Sequence, residues 1–88
     1  MTSIGKDDAF ASIIDIGRFA ASCENEHFAE HVLKEALKHA EETIGPHSAA
    51  VVLILKALSD FYEEQGNVIA TLQYVVRWRD ILKRIARR

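Results

Sequence analysis

Two stretches of this chain resemble one another at an offset of 42 residues, which sets Ile16 against Leu58, Ala20 against Tyr62 and Glu24 against Gly66. A fixed period of about 20 to 50 residues marks stacked supersecondary units, each too small to bury its own apolar face, so that neighbours must cover one another. This constraint favours a scaffold over an enzyme. It leaves the partner unspecified, because such a frame fixes the fold while its open surfaces vary.

Eighty-eight residues allow a single domain, and a chain of that length buries only a modest share of its surface. No internal disulfide can compensate, since Cys23 is the sole cysteine, a usage that suits a reducing cytosol. Residues 1–8 lack the basic start and apolar run of a secretory signal, and the longest apolar run, residues 49–55, is far too short to span a bilayer. A cytoplasmic protein with no membrane segment is therefore expected. One proline, four glycines and 49% hydrophobic residues fit a compact helical domain. The net charge of -2 hides an asymmetry: residues 1–66 hold five Lys or Arg against twelve Asp or Glu, whereas residues 67–88 hold six against one.

The apolar spacing predicts four helices joined by short turns. Asp7 or Asp8 can cap a first helix carrying Phe10, Ile13, Ile14, Ile16 and Phe19, three and four residues apart, and ending near Cys23. A second helix sets Phe28, Ala29, Val32, Leu33, Ala36, Leu37 and Ala40 on one side, with His27, Glu30, His31, Lys34, Glu35, Lys38 and Glu42 opposite. Gly45 and Pro46 stop it, and Ser48 caps the third. From Ala49 to Tyr62 only Lys56, Ser59 and Asp60 interrupt the apolar run, which predicts a central helix contacted on several sides. After the turn at residues 63–67, a fourth helix is expected from about Val68 to near Arg87.

In the leading hairpin Ile13, Ile16, Gly17 and Ala20, followed by Ala29, Leu33 and Ala36, place small residues where two helices must approach closely. The second hairpin matches at Leu55, Leu58, Tyr62 and the turn through Gly66, and departs at Thr71, Val75 and Trp78, where a tryptophan stands in place of a small residue. Together with the break at residues 44–47, this pattern over roughly residues 10–85 resembles the tetratricopeptide repeat, and within that family the longer kinesin-light-chain-type repeats. The resemblance implies an all-α fold of helical hairpins wound into a right-handed superhelix. Four helices would form two repeats, about 9–45 and 48–87, within one domain of residues 1–88. It further implies a non-catalytic module without a cofactor, whose concave surface binds a peptide or protein segment. Carried over by position, that groove is lined by Ile14, Arg18 and Ala21 from the first helix and by Leu53, Lys56, Asp60 and Glu63 from the third. Members that clamp a terminal carboxylate use basic and amide residues there; the mixture of Arg18, Asp60 and Glu63 does not reproduce that set, so no carboxylate clamp is expected.

The fourth helix carries more apolar residues than one neighbour can cover. Tyr74, Trp78, Ile81 and Ile85 form one stripe, and Val68, Leu72, Val75 and Leu82 form a second beside it. Repeat arrays normally end in a helix with a polar outer face, and this segment has none. The first stripe is therefore expected to meet a partner, foremost a second copy of the chain, because symmetric homodimers are the commonest assembly. The alternative is that Trp78 and Tyr74 fold back onto the third helix.

Sharper chemistry finds less support. Cys23, His27 and His31 follow one another at four-residue spacing, yet no fourth ligand lies nearby, so no metal site is expected. Arg77, Arg79, Lys83, Arg84, Arg87 and Arg88 beside Trp78 and Tyr74 invite a nucleic-acid reading, which the acidic remainder of the chain opposes. No glycine-rich phosphate loop exists, and neither Ser48 beside His47 nor Cys23 near His27 has a third, orienting residue. The competing class is a small non-repeat helical bundle with a regulatory or ligand-binding role, in which the 42-residue likeness is accidental.

Overall fold

The computed structural model describes residues 25–87. Three helices, α1 (Glu26–Thr43), α2 (Ala49–Glu64) and α3 (Val68–Ala86), account for 84% of them, and these residues contain no strand. Over the described residues the all-α expectation thus holds, and the helices coincide with the second, third and fourth predicted ones. The first predicted helix, with Ile14, Arg18, Ala21 and Cys23, lies outside the described residues, as does any repeat built on it.

Each helix begins where a short polar side chain can satisfy a backbone donor left over at a helix start. The Phe28 N–H donates to Asn25 Oδ1 at 3.3 Å, the Val51 N–H to Ser48 Oγ at 3.3 Å, and the Ala70 N–H to Asn67 Oδ1 at 3.1 Å. The α2–α3 turn is tight because Gly66 sits at φ 74°, a left-handed conformation that glycine adopts without strain. There the Gly66 N–H donates to the Glu63 carbonyl and the Asn67 N–H to the Tyr62 carbonyl, which closes α2.

The core is organised around α2. Ala50, Val51, Val52, Ile54, Leu55, Ala57, Leu58, Ser59, Phe61 and Tyr62 are all buried, leaving a single open stripe along Ala49, Leu53, Lys56, Asp60 and Glu63. One side of α2 receives Ala29, Leu33, Ala36, Leu37 and Ala40 of α1. The other receives Ile81 of α3, with Ala70, Tyr74, Trp78 and Ile85 packed around it. Both neighbours run antiparallel to α2. Tyr62, late in α2, stacks on Tyr74, early in α3, with ring centroids 5.6 Å apart and planes within 4°, while the earlier Lys56 lies 6.0 Å from the later Trp78 ring. Tyr62 also donates its hydroxyl to Glu30, near the start of α1. The backbones of α1 and α3 do not meet, and Arg77 of α3 spans the gap to Glu41 of α1 at 2.8 Å.

Candidate interaction surface

The described half of the predicted groove is the open stripe of α2. Leu53 is 48% exposed, and Lys56, Asp60 and Glu63 are exposed with it, three and four residues apart. Their counterparts Ile14, Arg18 and Ala21 lie outside the described residues, so this stripe is one wall. Its composition is mixed, one aliphatic residue followed by a base and two acids.

The stripe predicted to be open on α3 is its inner one. Ile81 is only 5% exposed, and Tyr74, Trp78 and Ile85 are half-buried against the core, so the face expected to meet a partner is turned towards α2. The cause lies in the short turn at Gly66 and in the Tyr62–Tyr74 stack, which together fix the rotation of α3 about its axis. Trp78 then fills the space that a small residue would leave between the helices. Two cations lie over its ring, Lys56 Nζ at 6.0 Å and the Arg79 guanidinium carbon at 5.9 Å from the centroid, contacts that the electron-rich face of an indole favours. The Trp78 Nε1–H is buried and meets no acceptor among the described residues.

What α3 leaves open is the opposite arc. Val68, Ile69, Leu72 and Val76 are between 57% and 74% exposed, and Leu82 continues the apolar surface. Val68, Leu72 and Leu82 belong to the second stripe seen in the sequence; Ile69 and Val76 were not singled out. Their signal was the spacing of Ile69, Leu72 and Val76, three and then four residues apart, which is as periodic as the stripe that was favoured. A shallow hollow lined by Glu63, Gly66, Val68, Thr71 and Leu72 joins this arc to the end of the α2 stripe, so the two candidate surfaces are continuous.

Charge is ordered along the same arc. Glu63 and Glu64 stand exposed at its α2 end, while Arg79 and Lys83 stand exposed beyond Val76 at the other. Two further members of the basic cluster are held in ion pairs, Arg77 with Glu41 and Arg84 with Asp80 at 3.0 Å. Glu30 is held below the usual carboxylate range, chiefly by the hydrogen bond from Tyr62 and further by the charge of Lys34, which lies 3.6 Å away. Burial, reinforced by Glu30, pushes the Tyr62 phenol up. This cluster ties α1 to α2 and is structural.

His27 and His31 are exposed on α1, and no three His, Cys, Asp or Glu side chains among the described residues converge as a metal site would need. Among those residues, too, no helix is long and apolar enough to cross a membrane. The chemistry that the surface offers is burial of apolar area flanked by charge. Compared with protein-family models, with curated proteins and with solved structures, the chain finds no match in any of the three.

Proposed function

We propose that this chain is a non-catalytic protein-interaction module, arranged as two kinesin-light-chain-like tetratricopeptide repeats, that binds through the open arc of α3 and the adjoining stripe of α2. The observation that carries the reading is the exposure of Val68, Ile69, Leu72 and Val76 on one side of a helix whose other side is packed. Each such side chain is worth about 1.5 to 3 kcal/mol when fully buried, and contiguous exposed patches of this kind mark interaction sites. Leu53 extends the patch, and Lys56, Asp60 and Glu63 flank it with polar groups that would select among partners. The repeat arrangement draws its support from the 42-residue likeness, and Glu26 and Val68, the first residues of α1 and α3, stand 42 residues apart.

The test compares wild type with Leu72→Asp/Val76→Asp by affinity capture from cell extract, with circular dichroism to verify that both are folded. A protein retained by wild type and lost by the folded variant is the expected result. Equal capture by the two would remove α3 from the binding surface. Lys56→Ala/Asp60→Ala should change which proteins are retained while leaving the helical signal intact.

A further inference from the structure

We infer that the open arc of α3 pairs with the same arc of a second copy, antiparallel, about a two-fold axis at Leu72. The inference rests on the interaction-module reading and names its partner. The most exposed part of the apolar surface, Val68, Ile69, Leu72 and Val76, runs from Val68 to Val76, with Leu72 at its midpoint. A two-fold axis there sets Val68 of one copy against Val76 of the other and buries both patches at once, as an isologous interface requires. Spacings of four, four, three and four keep Val68, Leu72, Val76, Arg79 and Lys83 on one line of the helix.

Charge selects both the occupant and the direction. Read along the arc, the surface is acidic at Glu63, which lines the hollow beside Val68 and Leu72 and has Glu64 next to it in the chain, apolar through Val76, and basic at Arg79 and Lys83. Turned end for end, that order is its own complement. An antiparallel copy lays Arg79 and Lys83 over the partner's Glu63 and Glu64, and the symmetry makes the same contact twice. A parallel copy would set acid beside acid and base beside base, which is costly at an interface. A different protein would have to present, independently, the base–apolar–acid order that this chain already carries.

The inference is tested with two charge-reversed variants of the full chain, Glu63→Lys/Glu64→Lys and Arg79→Glu/Lys83→Glu, studied alone and mixed by sedimentation equilibrium. All four positions are exposed, but Arg79 also lies over the Trp78 ring, so circular dichroism is used first to verify that both variants keep the wild-type helical signal. Wild type should dimerise. Each variant alone should dimerise about tenfold or more weakly, since like charges now face each other. An equimolar mixture should recover the wild-type affinity as a heterodimer, because in it every reversed residue meets an opposite charge. Raising the salt concentration should weaken wild type and mixture alike.

A wild-type chain that stays monomeric to high-micromolar concentration would overturn the second copy as occupant. The capture experiment with Leu72→Asp/Val76→Asp would still decide the interaction reading by itself. A dimer that survives both charge reversals but is dissolved by Leu72→Asp would keep the face and overturn the antiparallel register. Failure of the mixture to recover would overturn the register as well.

Discussion

Tyr62 is a single side chain that joins α2 to both of its neighbours: the ring stacks on Tyr74 of α3 and meets Phe61 edge-on at 5.2 Å, while the hydroxyl donates to Glu30 of α1. Replacing it by phenylalanine keeps the stack and removes only the hydrogen bond. The expected loss is about 1 kcal/mol, the ordinary net value, because Glu30 is partly exposed and solvent screens the charged acceptor. The pH dependence follows from the direction of the Glu30 shift. Its folded pKa is depressed below 4.5, chiefly by this hydrogen bond. The contribution is therefore complete above that value and is lost as pH falls through the depressed one. Urea titrations of wild type and Tyr62→Phe should differ at neutral pH and converge in strong acid. A gap that stays constant down to about pH 2 would show that the phenol does not act through the ionised carboxylate. The sequence marked Tyr62 as a repeat residue, but its partner Glu30 lies 32 positions away, a distance that local spacing cannot bridge.

Gly66 and Asn67 carry the α2–α3 junction between them, the first closing one helix and the second opening the next. A Cβ added at Gly66 would meet nothing within 4 Å, so the cost of Gly66→Ala is that of the backbone alone. Holding an ordinary L-residue at φ 74° should lower stability by about 1 to 2 kcal/mol. Gly66→Asn should lose less, since asparagine tolerates this region better. If thermal melts placed alanine and asparagine together, the left-handed turn would not be what limits the position. Boundaries of this kind were legible: Gly45, Pro46, Ser48 and Gly66 punctuate the sequence where the helices stop and start. The rotation of α3 was not. Its two apolar stripes have the same helical period, and periodicity reveals that a face exists without saying which of two faces meets the neighbour. The decision belongs to contacts between elements, here the tight turn and the Tyr62–Tyr74 stack, and they turn Trp78 inward and Leu72 outward.

At the scale of the molecule, stability should depend on α2 far more than on either flanking helix. A small domain has little surplus: total stabilities lie near 5 to 15 kcal/mol, and short chains bury the smaller share of their surface. The near-continuous apolar run of residues 49–62 foretold a helix contacted on several sides, and that part of the architecture was legible because no other placement hides so much apolar surface. Two leucines on this helix separate the core from the open stripe. Leu58 is fully buried, and truncation to alanine should remove about 2 to 5 kcal/mol, enough to abolish a cooperative urea transition in a domain of this size. Leu53, half-exposed on the open stripe, should lose under about 1 kcal/mol on the same truncation, because its site leaves no enclosed cavity. Its effect should appear in partner binding instead, measured with whatever protein the capture experiment retains. Equal destabilisation by Leu53→Ala and Leu58→Ala would mean that the stripe is covered in solution, and with it that the surface assigned to recognition is part of the core.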